Sequence, residues 1–216
     1  ISLSRETSIT SLSSSQYMDA YNYKNQLYGD ISSLVNQYNK LENKLINYKE
    51  SEANNSSISG EVNKELNENN MILGKMPVSG EGIILVLNDA DSIYFDNTAA
   101  DQFRLVHNTD IIQVLNDLRN AGAEAISLNN QRVIGTTEVY CSGPFLRVNG
   151  VKIAAPFTKY AIGNKQVLYD YMMSDENYLK SLMLRKVNVN ISQSDQVKIS
   201  AFPGSEKTDY MKAQSN

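Results

Sequence analysis

The stretch AGAEAISLNNQR, residues 121–132, joins a helix to a strand. Upstream, Asp110 to Ala121 repeats apolar side chains at Ile111, Ile112, Val114, Leu115 and Leu118, one face of a helix. Asp110 is expected to cap its start and Gly122 its end, because glycine adopts the left-handed backbone that terminates helices. Glu124 to Leu128 then reads as a strand, and Asn129, Asn130, Gln131 and Arg132 place amide and guanidinium groups at its end.

Working outward, Gly82 to Leu87 (GIILVL) is a continuous apolar run of strand length. Glu138 to Cys141 is a strand. Phe145 to Val148 and Val151 to Ala154 flank Asn149-Gly150, a strong hairpin signal. Lys165 to Met173 and Glu176 to Leu184 read as helix with a break near Ser174 and Asp175. Val187 to Ile191 and Val197 to Phe202 read as closing strands joined by a turn over Ser192 to Asp195. Strand, helix, several strands, helix, strand, strand is an α+β layer with helices on one sheet face, similar to the split β-α-β arrangement. The hairpin cluster from Glu138 to Ala154 argues against a doubly wound nucleotide-binding sheet.

Three zones precede and follow this head. Residues 1–16 are rich in Ser and Thr and read as a flexible linker. Residues 17–75 read as a helical stalk, 76–204 as the head and 205–216 as a disordered tail. In the stalk, Leu27, Ile31, Leu34, Tyr38, Leu41, Leu45 and Tyr48 alternate spacings of four and three, a heptad seam that marks a coiled-coil interface. Over 22 residues such a helix is about 33 Å long. It cannot cover its own stripe and needs a second helix. With Ile31 at a and Leu34 at d, a parallel self-pair sets Asp30 against Val35, Gln37 against Glu42 and Lys44 against Lys49. That charge pattern does not specify a parallel homodimer, and another helical partner stays open. Ser51 to Gly60 (SEANNSSISG) is poor in helix formers and is expected to break or reverse the chain before Val62 and Leu66 resume.

Composition excludes several classes. The 216 residues are 41% hydrophobic and 20% charged, with a formal net charge of −4 and a pI near 5.1, which argues against a nucleic-acid surface. The single cysteine, Cys141, allows neither an internal disulfide nor a Cys-based zinc site, and its apolar neighbours predict a buried structural thiol. No run of about 18 apolar residues is present. Ile1 and the polar residues after it are expected to follow a removed signal or membrane anchor.

Few constellations carry chemistry. Asp89, Asp91 and Asp96 lack the glycine and the terminal acid of a calcium loop, with Tyr94 and Ala100 at those positions, so a solvated loop is the preferred reading. No metal or cofactor is expected. His107 with Asp110 is the one short-range His–carboxylate pair, and its simplest role is to organise a helix start. No G-x-S-x-G elbow supplies a nucleophile. A hydrolase built on His107, Asp110 and Glu124 is the least favoured reading. A candidate ligand site comprises His107, Asp110, Glu124, Asn129, Gln131 and Arg132. There Arg132 could clamp a small anion with help from Thr136 or Thr137, set against the plainer reading that these groups satisfy loop backbone.

His107 and Asp110, Leu115 to Leu118 (LNDL), Ala121 to Ser127 (AGAEAIS), Gln131-Arg132, Cys141 to Pro144 (CSGP), Val148 to Gly150 (VNG), Pro156 and Ala161 to Gly163 (AIG) together resemble the YlxW/YlxX-like bacterial family, a domain of unknown function (DUF881). The resemblance covers about residues 76–202. It implies an N-terminal membrane anchor, an extracytoplasmic coiled-coil stalk and a ferredoxin-like head, in bacteria whose genes of this kind often lie near cell-division or envelope genes. It implies no activity. Where the family commonly has Asn-Gly before Gln-Arg, this chain has Asn129-Asn130, and asparagine still tolerates the left-handed turn. The expectation is a non-enzymatic, membrane-tethered envelope scaffold that oligomerises or binds another coiled-coil protein. The alternative is an extracytoplasmic sensor of a small anion or envelope metabolite.

Overall fold

In a computed structural model, the described residues are 24, 27, 29, 31–43, 46, 55–96, 98–205, 209–212 and 214. The chain divides into two compact units, residues 1–64 and 65–216. In the first, residues 31–43 are helical (α1), as are the described residues around them. Leu45 and Tyr48 of the expected seam lie outside the described residues, as do residues 1–16. Of the segment expected to break the chain, residues 51–54 lie outside the described residues, and the rest, Gly60 included, belongs to helix α2, Asn55–Ile72. The poor helix propensities there, a few tenths to about 1 kcal/mol each, are too small to stop a helix whose neighbours favour it.

The second unit is α+β, as the order of strand and helix signals predicts. Its strands and helices run β1 Val78–Asn88, α3 Asn108–Asn120, β2 Ala125–Leu128, β3 Gln131–Val133, β4 Val139–Ser142, β5 Phe145–Val148, β6 Val151–Ile153, β7 Phe157–Ile162, α4 Lys165–Met173, α5 Tyr178–Leu184 and β8 Asn188–Ile199. Two short 3-10 turns, Ser92–Tyr94 and Ala99–Arg104, lie between β1 and α3. A five-stranded sheet has the order β3-β2-β7-β1-β8, and β4-β5-β6 form a separate three-stranded sheet. All pairings are antiparallel. The β1–α3–β2 crossover leaves a gap that β7 fills, and the β7–α4–α5–β8 crossover leaves one that β1 fills.

One face of the large sheet supplies Ile83, Leu85, Leu87, Ile126, Leu128, Phe157 and Ala161 to a core completed by Ile111, Val114, Leu115 and Leu118 of α3, with Leu168, Met172, Leu179 and Leu182 of α4 and α5. Leu146, Val148 and Ile153 of the small sheet join it. Strand residues of opposite parity, Ala125 and Ile162, pack with Val197 and Ile199 in a smaller cluster. Gly82 of β1 has no room for a side chain beside β7: a Cβ there would sit 1.9 Å from the Ala161 carbonyl oxygen.

Three expectations are corrected. Ser192 to Asp195 is no turn but the middle of β8, which pairs with β1 from Val78 to Asn88 across a register shift between Gly80 and Gly82. The ladder's hydrogen bonds override the local turn preference, and Asp195 pairs with Lys165 across the edge. Cys141 is exposed rather than buried, its thiol 3.0 Å from Asn108 Oδ1. Helix α3 starts two residues earlier than expected, with His107 at the cap position and Asp110 in the first turn. The Asn129-Asn130 turn persists: both residues take positive φ, 44° and 64°.

Candidate functional site

The sequence candidates fall into separate places. Asp110, 1% exposed at the start of α3, is held by four donors. Arg185, just past α5, grips it with both terminal nitrogens, Nη1 to Oδ1 at 2.6 Å and Nη2 to Oδ2 at 3.1 Å. The Tyr178 hydroxyl donates to Oδ1 at 2.7 Å and the His107 amide to Oδ2 at 2.8 Å. Arg185 also donates to the Phe103 and Leu105 carbonyls, at 2.6 and 2.8 Å. Burial would raise the Asp110 carboxyl, but Arg185, the His107 amide and Tyr178 more than offset it and hold it below its ordinary value. With its lone pairs occupied, Asp110 ties α3, α5 and the preceding loop together. The His107 ring lies beside it, Nδ1 3.8 Å from Oδ2, and is 39% exposed.

Glu124 is not part of that group. It follows the C-terminal end of α3, whose 13 residues separate it from His107 by a rise of about 20 Å and leave it about 15 Å along the helix from Asp110. Its amide donates to the Ile162 carbonyl at 2.8 Å.

Asn129 serves the loop before β7. Its Oδ1 accepts from the Thr158 amide at 2.7 Å, and its Nδ2 donates to Ala154 and Pro156 carbonyls at 3.3 and 3.1 Å. That loop contains the cis Ala155–Pro156 peptide. Gln131 and Arg132 continue into β3, opposite Leu128 and Ser127. Arg132 is 4% exposed, and its Nη1 has the Met76 carbonyl at 3.5 Å. Burial pushes its guanidinium below its ordinary value, and no carboxylate pairs with it among the described residues. Gln131 Oε1 is buried without a partner. Thr137 Oγ1 accepts from the Ile134 amide at 2.9 Å, closing the turn beyond Arg132.

The acidic loop after β1 is likewise in structural use. Asp89 Oδ1 accepts from the Val106 amide at 2.7 Å, Asp91 Oδ1 from Asn188 Nδ2 at 3.0 Å, and Asp96 lies 3.5 Å from Arg104. Among the described residues no group of three His, Cys, Asp or Glu side chains could hold a metal. None of their helices is long and apolar enough to cross a membrane.

Sequence reasoning missed Lys159. In register it sits opposite Leu85 of β1 and Leu128 of β2, on the core face of a central strand, with no exposed surface. Its Nζ has one acceptor, the Phe157 carbonyl at 3.4 Å. Burial pushes the ammonium down to about 7, against the opposing charge of Asp110. The signal was the F-T-K-Y-A-I alternation of 157–162, in which the lysine occupies an inward position between Phe157 and Ala161.

Residues 65–212 match the family described as "Bacterial protein of unknown function (DUF881)". The UPF0749 protein YlxW of Bacillus subtilis (strain 168) is 32% identical over 129 residues, which are 60% of this chain and 55% of that protein. The alignment thus spans about half the length of that curated relative. The crystal structure of an uncharacterized conserved protein from Mycobacterium tuberculosis superposes with a TM-score of 0.56 at 23% identity, over 69% of this chain and 99% of that one. At that identity the likeness concerns the fold.

Proposed function

The chain belongs to the bacterial DUF881 family, and from that premise we propose that it is a non-enzymatic scaffold of the cell envelope, tethered to the membrane and working outside it, whose N-terminal helix self-associates as a coiled coil. The observation that carries this reading is the exposed seam. Leu27, Ile31, Leu34, Tyr38 and Leu41 are 41%, 55%, 62%, 63% and 65% exposed on helical backbone. Burying side chains of this kind is worth about 1.5–3 kcal/mol each, enough to outweigh the tenths of a kcal/mol that the Lys44–Lys49 juxtaposition costs. The head is then a presented surface, and its polar candidates Asp110, His107 and Asn129 already serve its own backbone and side chains. Its strand connectivity supports reading it as a ferredoxin-like split β-α-β domain with an added hairpin sheet.

The test of assembly is sedimentation equilibrium on the chain and on the double variant Leu34→Glu, Leu41→Glu. Self-association lost in the variant supports the scaffold, whereas identical monomers oppose it. The tether and compartment come from the family resemblance. Protease accessibility on intact cells expressing the full gene product checks them: protection of the head overturns an extracytoplasmic placement.

A second reading, a sensor of a small anion, is favoured by Arg132, whose enclosed guanidinium has no carboxylate partner among the described residues. It predicts that inorganic phosphate or a similar anion raises the melting temperature and that Arg132→Ala abolishes the rise. No shift across a panel of anions counts against it.

A further inference from the structure

Residues 31–43 of α1 are all exposed on helical backbone, among them the seam residues Ile31, Leu34, Tyr38 and Leu41 and a further apolar side chain beside the seam, Val35. With Ile31 at a and Leu34 at d, Val35 takes an e position and Gln37 a g position. The sequence carries the same frame to Tyr28 and Glu42 at e and to Asp30 and Lys44 at g. Of these, Tyr28, Asp30 and Lys44 lie outside the described residues, and their positions follow from the heptad alone.

A parallel pair uses this frame badly. It sets the Asp30 charge against apolar Val35 and the Lys44 charge against Lys49. Reversing one helix changes which groups meet: a two-fold axis then crosses the pair, so that a faces d, e faces e and g faces g. With the axis at the level of residue 36, Ile31 of one copy packs on Leu41 of the other and Leu34 on Tyr38, each contact made twice by symmetry, and the sequence extends the seam to Leu27 on Leu45. On the flanks, Asp30 meets Lys44, again twice. Gln37 meets Gln37, amide donor to amide acceptor, and Tyr28 brings a hydroxyl to the Glu42 carboxylate. Val35 meets Val35, which covers the apolar side chain that the seam leaves over.

Neighbouring antiparallel registers lose the match. Moving the axis half a heptad towards the C-terminus sets Val35 against Glu42 and Gln37 against Lys44, and moving it the other way sets Leu41 against Lys24. Charge pairs on a coiled-coil flank are individually weak, but they decide between arrangements that bury similar apolar surface.

We propose that α1 pairs with α1 of a second copy of this chain in antiparallel orientation, about an axis at residue 36, with Asp30 of each copy opposite Lys44 of the other. The inference rests on the self-association proposed above and fixes its direction. Tethered copies on one membrane would then carry the pair along the membrane plane rather than upright from it.

The test uses the full chain with Cys141→Ser, which removes its exposed thiol. Chains carrying Ile31→Cys and chains carrying Leu41→Cys, told apart by an affinity tag, are mixed and oxidised with glutathione disulfide. The mixed disulfide is the expected main product, because the axis brings these two positions together and holds each about 15 Å along the helix from its own counterpart. Association without the mixed disulfide overturns the proposal and leaves self-association standing, and homodisulfides in its place mark a parallel pair. A chain that sediments as a monomer, whatever else covers the seam, overturns both. Charge reversal gives a second readout by sedimentation. Lys44→Asp and Asp30→Lys are each expected to weaken association about tenfold, and the two together to restore it. In a parallel pair Lys44→Asp would face Lys49 and tighten association, so tighter or unchanged association in that variant overturns the proposal.

Discussion

The N-terminal helix and the head depart from the usual partition of side chains in opposite directions. Helix α1 holds Leu34, Tyr38 and Leu41 more than 60% exposed, whereas the head holds Asp110, Arg132 and Lys159 almost entirely out of water. Exposed apolar groups cost little while the chain is alone and reward association. Buried charges are costly until paired, and the two that the core holds near each other are paired very differently. Asp110 has four donors, but Lys159 has one distant carbonyl. The first is a structural clasp. The second is a charge that the fold tolerates at a cost.

The sharpest way to break this contrast is Asp110→Ala. It leaves the Arg185 charge with only the Phe103 and Leu105 carbonyls and no carboxylate, and urea unfolding should show a loss of about 3–5 kcal/mol. A loss under about 1 kcal/mol would reduce the clasp to an ordinary surface pair. The same clasp predicts acid sensitivity. Because the folded carboxyl titrates below its unfolded value of 3.8, its contribution is present above that pH and is lost as pH falls through the folded value.

Lys159→Met should act with the opposite sign. Replacing a buried, poorly paired charge by an apolar chain of similar length is expected to leave stability unchanged or raise it by about 1–4 kcal/mol at pH 6. The unfolded lysine binds its proton up to about 10.5 and the folded one only to about 7, so wild-type stability should climb with pH across that window. In Lys159→Met that climb should flatten. Equal pH profiles for the two proteins would show that Lys159 is better solvated than its burial implies.

Asn129→Ala is next in size. It strips one acceptor and two donors from the loop before β7, and thermal unfolding should show a loss of about 1–2 kcal/mol. The smallest effect belongs to the seam: Leu34→Glu with Leu41→Glu should change head stability by less than about 0.5 kcal/mol, since exposed positions outside a packed core rarely do more.

The α+β class was legible because β1, α3 and the Asn149-Gly150 hairpin each carry a local signal: an apolar run, a 3.6-residue period, a pair of left-handed residues. The family was legible from the order of short motifs around α3 and β2. Strand β7 was not, because Lys159 occupies a core position and disguises an inward-facing row as a polar segment. Strand β8 read as two because Ser192 to Asp195 favour a turn, and only pairing with the 11-residue β1 keeps the 12-residue β8 extended through them. The Asp110 clasp was half visible. His107 and Asp110 are neighbours in sequence, but Arg185 and Tyr178 arrive from 75 and 68 residues away.

The central claim is that α1 exposes its seam because it awaits a second helix, and sedimentation equilibrium over a wide concentration range tests it most directly. The account predicts that the intact chain associates reversibly and that Leu34→Glu with Leu41→Glu sediments as a monomer with the head still folded. A wild-type chain that remains monomeric at the highest concentration, indistinguishable from the variant, would contradict it.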